Sequence, residues 1–473
     1  MDLLAKMMCF ASHIAELGPK AFKRRSSPRG LLYLGVVTTG LALLANGALA
    51  VERLSSDATV MPVDRPDVVD NQKIAAHWPT MLREGRLGKK LRGMRHQGAV
   101  GSAEFNGDES LILSYSSDKT VRLWDADTCE ATGLVLRHQS AIGGAVFNKG
   151  ETHILTYDEK TVQLWDMKTG KKLIKPIRHQ ALIGGAEFNE DETRILTYSD
   201  DGTVRVWDAG TGRPVGQTFR HQGAIGGAVY SEDGSIILTY AADGMARLWN
   251  ARTGAPIGEP LRHQGEVGGA EFNSDETLVL TYAEDGTARL WDAETGAPDG
   301  EPVRHQGAIG GASFNDDETL ILTYSEDGTV RQWDAVTGQP IGPVLKHQGT
   351  VGGVLLNSDQ TLILTYAEDG TARLWDSESG EPWADPFRHQ GAVGEAYFVG
   401  DDRFVLTYSE DQTARFWEVE TGEPIGNIIR HQASIDGVVL NDDETLLLTY
   451  SSDQTIRLWD ISGLEDGEIK KVC

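Results

Sequence analysis

Through most of this chain, apolar and polar positions alternate in short runs, and the runs return in the same order at a spacing of 42 residues, broken by a single 41. One stretch, HQGEVGGAEFNSDETLVLTYAEDGTARLWDAETGAPDGEPVR from His263, shows the pattern. Val267–Phe272 reads as a short strand and Asn273-Ser-Asp-Glu as a turn. Leu278–Tyr282 is a β-rich strand, and Glu284-Asp285-Gly286 a tight turn. Thr287–Trp291 alternates, and a Thr-Gly-x-Pro loop leads to a fourth short strand ending at Arg304. Four short strands joined by turn residues predict one antiparallel sheet per repeat. A lone sheet of this kind cannot bury both faces. Closing a ring of sheets buries each against its neighbours and leaves few free edges.

The Arg/Lys-His-Gln signal occurs with His at 96, 138, 179, 221, 263, 305, 347, 389 and 431, and Trp follows at 124, 165, 207, 249, 291, 333, 375, 417 and 459. These are nine copies in phase. With the Asp-Gly-Thr-x-Arg-Leu-Trp-Asp run at 285–292, the copies resemble the WD-repeat β-propeller family over residues 87–473. Two departures are visible. The family's usual Gly-His is Arg-His or Lys-His here, and the Asp after Trp becomes Asn250 in one copy and Glu418 in another. The resemblance implies an all-β single closed propeller of four-stranded antiparallel blades. Seven or eight blades are usual in the family. Nine equivalent copies favour nine blades over seven with two orphans, which would leave exposed edges. Two segments compete for the last outer strand: Gly88–Arg95 from the amino-terminal side, or Gly467–Val472 from the carboxyl end.

Each copy holds His, Thr, Asp and Trp in fixed phase: His221, Thr239, Asp243 and Trp249; His263, Thr281, Asp285 and Trp291; His305, Thr323, Asp327 and Trp333 in the fourth to sixth. A His-Thr-Asp set invites a catalytic-triad reading. A triad is needed once, however, and this set occurs nine times with Trp as a fourth member. The resemblance implies a hydrogen-bonded chain inside each blade: Trp donates, Thr relays, and Asp fixes the His tautomer. In the first copy Ser114 stands for Thr. In the copy one residue short, Glu159 is expected to stand for Asp.

Ahead of the repeats, Leu31–Val51 is an apolar run of 21 residues without a charge. As a helix it would be about 30 Å long at ~1.5 Å per residue, a hydrocarbon thickness. Lys20, Lys23, Arg24, Arg25 and Arg29 precede it, which puts residues 1–30 on the cytoplasmic side and the propeller outside. The run is either an uncleaved single-pass anchor or a signal peptide cut after Ala48-Leu49-Ala50, which would release a secreted or periplasmic protein. Residues 52–86, polar and holding Pro62, Pro66 and Pro79, read as a linker.

Charge narrows the functions further. The net charge is −26, with six basic and two acidic residues in the first fifty. The remainder is acidic, which argues against nucleic acid as a partner, because a phosphate backbone needs a basic surface. Cys9, Cys129 and Cys473 are too few and too scattered to predict a disulfide framework or a zinc site.

With copies so alike, the exceptions stand out. The second copy is basic at Lys168, Lys171, Lys172 and Lys175, and these lysines are candidates to face a membrane. The first-strand Gly-Gly becomes Gly394-Glu395 in the eighth copy and Asp436-Gly437 in the ninth, so two carboxylates from adjacent blades are expected in the central channel. Trp383 replaces a small residue in a loop and is a candidate contact anchor. No phosphate-binding loop, nucleophile elbow or His-Glu-x-x-His motif appears, and no cofactor is implied. The expected function is a non-enzymatic scaffold that binds proteins or peptides, with membrane attachment through residues 31–51 if these are retained. The alternatives are an extracytoplasmic propeller enzyme with a metal or cofactor in the channel, and a ligand-sensing ectodomain.

Overall fold

The computed structural model describes residues 93–473. The apolar run at 31–51, the linker at 52–86 and most of the candidate strand at 88–95 lie outside the described residues. Among those described, nine four-stranded antiparallel sheets follow one another along the chain. In the fifth, the strands are Val267–Phe272, Leu278–Ala283, Thr287–Asp292 and Pro298–Arg304, close to the bounds expected from alternation. The first strand of each sheet lies against the first strands of both neighbours, so these strands form the innermost ring. The last strand lies outermost and is mostly exposed.

The Gly-Gly of the first strand makes room for a tyrosine. A side chain on Gly269 would place its Cβ 2.3 Å from the Tyr282 ring, which lies flat across Gly268 and Gly269. Eight other sheets carry tyrosine at the same position, from Tyr115 to Tyr450. A second glycine governs the outer strand. Gly258 has φ +62°, and a Cβ there would sit 2.5 Å from the Thr295 carbonyl carbon, so the bulge that bends this strand requires glycine. In the second and seventh sheets Ile174 and Ala384 take this place. There the outer strand shrinks to Ile177–Arg178 and Phe387–Arg388.

Between sheets, Val, Ile, Leu and Trp side chains pack into one apolar cluster per joint. That between the fourth and fifth holds Leu238, Leu261, Val267 and Trp291. Each joint but one also has a polar clasp. The fourth residue of the first turn reaches back to the preceding sheet. Glu151 accepts from Asn106 Nδ2 at 2.9 Å, and Glu192 from Asn148 Nδ2 at 2.9 Å. These clasping residues hold positive φ, 51° at Glu151 and 57° at Glu192, a conformation non-glycine residues seldom adopt. The joint between the third and fourth sheets lacks the clasp because Gly234 stands there.

The ninth sheet packs against the first in the same way. Glu109 accepts from Asn441 Nδ2 and from the Asp442 N–H, both at 2.9 Å. Met94, Val100 and Trp124 share a cluster with Leu448, Ile456 and Leu458. Both candidate closing segments contribute. Glu468–Lys471 pairs with the far half of Ile456–Gly463, and the Val472 N–H donates to the Leu458 carbonyl. Arg95 then bridges Thr455, and the Ile456 N–H donates to the Met94 carbonyl. The outer edge of the ninth sheet is therefore two short segments laid end to end, one from each side of the described chain.

One expectation is overturned at this seam. Cys129 and Cys473 form a disulfide across 344 residues. Distance along the chain misled, because the ring brings the last residue against the loop that follows Asp125 in the first sheet.

Candidate functional site

The recurring polar set is assembled within each sheet. In the fifth, the Trp291 indole donates to Thr281 Oγ1 at 2.7 Å, and Thr281 Oγ1 meets His263 Nε2 at 2.7 Å. His263 Nδ1 faces Asp285 at 3.3 Å. The fourth sheet repeats this: Trp249 to Thr239 at 2.8 Å, Thr239 to His221 at 2.8 Å, and His221 to Asp243 at 3.1 Å. The sixth gives Trp333 to Thr323 at 2.8 Å, Thr323 to His305 at 2.7 Å, and His305 to Asp327 at 3.4 Å. The proton arrangement that turns an N–H toward the carboxylate satisfies every member. Thr accepts from Trp and donates to Nε2, and Nδ1–H donates to the carboxylate.

The electrostatics agree. Burial lowers the His263 and His221 pKa values, and that of His305 to about 4, against the opposing pull of the aspartates. These three histidines are neutral at pH 7. Burial would raise the Asp285 pKa, but bonds from the Gln264 N–H, Thr287 and His263 hold it below its ordinary value. Thr281 is fully buried, as are Thr239 and Thr323. No substrate reaches these hydroxyls, so the set cannot supply a nucleophile.

Two readings of this network needed correction. In the second sheet Asp158, not Glu159, faces His138, at 3.2 Å. The shorter turn places the preceding residue in the carboxylate's position. A fifth member was also missed. Thr287 donates to Asp285 Oδ1 at 2.6 Å and lies 3.1 Å from His263 Nδ1. Its recurrence two residues after the Asp was the available signal. The fourth sheet carries Met245 there instead.

The two exceptional carboxylates are each engaged within their own sheet. Glu395 is half-buried and accepts from the Tyr408 hydroxyl at 2.7 Å and from that of Tyr397. Asp436 accepts from Ser452 at 2.6 Å. Among the described residues, no three His, Cys, Asp or Glu side chains gather as a metal-binding group. Three other acids escaped notice in the sequence. Glu104, Glu187 and Glu271 lie on first strands, and burial pushes each up to about 8. Glu104 accepts a bond from the backbone of Phe147 in the next sheet, and Glu271 one from Phe314, so these carboxyls sit in the joints.

On the surface, Trp383 is 49% exposed, and its indole donates to the Val419 carbonyl of the next sheet at 3.0 Å. Lys168, Lys171 and Lys172 are exposed on the loop and outer edge of the second sheet, and Lys172 Nζ lies 4.9 Å from the Trp165 ring centre. A further residue went unremarked. Leu182 is 49% exposed beside the His179 turn, where the other copies carry Ala, Glu, Thr or Ser.

A ring of four-stranded sheets, each braced by a buried Trp–Thr–His–Asp chain, is a β-propeller. The sequence profile of the WD domain, G-beta repeat (WD40), matches residues 88–125, 171–208, 212–250, 254–292, 301–334, 338–376 and 422–460. These stretches make up more than half of the chain, and the chain belongs to this family. The first three strands of the sheets around Trp165 and Trp417 fall outside the matched stretches, yet these sheets fold alike. No curated protein matches the sequence. Among solved structures, the crystal structure of the computationally designed Ika8 protein is similar, with a TM-score of 0.54 and 24% identity over 79% of this chain and 100% of that one. That likeness concerns the fold alone.

Proposed function

We propose that this chain is a non-enzymatic scaffold whose exposed, copy-specific positions dock protein or peptide partners. One observation carries the reading. The recurring Trp, Thr and His side chains are buried and bonded to each other, so recognition falls to the large apolar side chains that single copies expose, among them Leu182 at 49%. Protein interfaces centre on such anchors, and WD40 propellers generally bind protein partners. A photo-crosslinking residue placed at 182 in cells tests this. The expected result is a discrete crosslinked protein whose yield falls when the neighbouring exposed Gln180 is changed to Glu. A position that captures nothing would count against this site.

The same reading places the propeller beyond a membrane, tethered or exported. The basic lead and apolar run support it, and so does the Cys129–Cys473 disulfide, since cytosolic thiols are kept reduced. Intact mass from membrane and soluble fractions separates the two forms. A mass starting at Met1 in membranes means a tether, and one starting at Val51 in the soluble fraction means export. Rapid labelling of Cys129 and Cys473 thiols in intact cells would refute both.

A further inference from the structure

The outer edges of the second and seventh sheets are alike in shape and opposite in charge. Both end in a two-residue outer strand, and both carry an isolated bridge at the same place, Trp165 with Lys172 and Trp375 with Pro382. Residues 166–178 and 376–388 align without a gap. At aligned positions Lys168 faces solvent where the other edge has Glu378, Lys171 where it has Glu381, and Lys175 where it has Asp385. Between these charges Leu173 aligns with Trp383, 43% and 49% exposed.

The neighbours carry the contrast on in part. Beside the acidic edge the eighth sheet adds exposed Glu420 and Glu423, while the sixth adds exposed Ile341 and Val344. Beside the basic edge the third sheet adds exposed Arg213, whereas the first carries exposed Asp127 and Glu130. The two edges stand five sheets apart in one direction and four in the other, on nearly opposite sides of the ring.

We propose that the protein assembles head to tail with further copies of itself. The lysine-ringed Leu173 edge of one copy docks on the carboxylate-ringed Trp383 edge of the next. Apolar side chains would fill the centre of such a contact and complementary charges its rim, the usual anatomy of a protein interface. The indole bond to Val419 already orients Trp383, so little freedom is lost on docking. The contact joins two different surfaces, and each added copy leaves one of each kind free, so it propagates into a linear chain. The partner here is the chain itself, and the contact lies away from Leu182, so this inference and the docking site proposed above stand or fall separately.

Sedimentation of the full chain, purified in one detergent, tests the idea. The expected result is a mass that rises with protein concentration and returns to that of one copy in molar salt, where charges are screened. K168E/K171E/K175E should remain single, and so should E378K/E381K/D385K. Mixed together they should assemble again, because one variant then carries two acidic edges and the other two basic ones. That rescue shows that both variants fold. W383A should weaken assembly without changing charge. A wild-type chain that stays single at every concentration overturns the proposal, as does assembly that survives both triple reversals. If the lysine variant loses only its binding to phosphatidylglycerol vesicles while the wild type stays single, the lysines meet a membrane and the proposal fails.

Discussion

Thr281 is the narrowest point of its network, because one oxygen serves both Trp291 and His263. Replacing it with valine keeps the volume and strands two buried polar groups. Each such group costs ~1–3 kcal/mol. T281S retains the oxygen, as Ser114 does in the first sheet, where it meets His96 at 2.8 Å. T281V should therefore lower the midpoint of chemical unfolding well below that of T281S. The four-residue set was legible in the sequence because it recurs in phase and each type has an evident donor or acceptor role. Thr287 recurs in every copy but the fourth, yet a hydroxyl close to a carboxylate reads as turn chemistry until the imidazole is seen beside both.

At the scale of strands and sheets, alternation gave the strand bounds to within a residue or so, since one face of each strand must be buried. It said little about what crosses from sheet to sheet. Glu104, Glu187 and Glu271 alternate with apolar residues like any solvent-facing position, yet they sit in the joints, Glu104 buried and the other two half-buried, and desolvation there pushes their pKa values from 4.5 to about 8. The folded chain holds these protons where the unfolded chain has released them. Their contribution to stability is complete below pH 4.5 and is lost as pH rises toward 8. The histidines act in the opposite sense. Burial drops His96, His305 and His431 from 6.5 to about 4, so their contribution is present above 6.5 and is lost as pH falls through that window. Between pH 4.5 and 6.5 the two trends offset each other, so thermal stability should hold a plateau there, decline above 6.5 as the glutamates lose their protons, and decline again below 4.5 as the histidines gain theirs. In E104Q/E187Q/E271Q the decline between pH 6.5 and 8 should flatten while the acid side persists. A melting series across pH checks both limbs.

The number of sheets was legible from the count of copies, but the manner of fastening was not. Two segments resembled the missing outer strand, and nothing in either showed that each would supply half. The disulfide was hidden for a similar reason: spacing rules concern cysteines that are near in sequence, whereas Cys129 and Cys473 meet only once the ring is assembled. A cross-link that closes so long a loop restricts the unfolded chain strongly, and losing one typically costs about 2–5 kcal/mol. C129A/C473A should melt lower than the wild type under oxidising conditions. Adding reductant should bring the wild type down to the variant and leave the variant unmoved.

The uneven distribution of clasps has a mechanical consequence. A hoop under strain parts where a rivet is missing, not where its ends have been welded. Here the weld is the ninth-to-first joint, with its carboxylate clasp, its shared outer edge and its disulfide. The missing rivet is between the third and fourth sheets, where Gly234 has nothing to reach back with. When the ring first gives way it should gape in the middle of an unbroken chain, hinged on the place where the chain itself is cut.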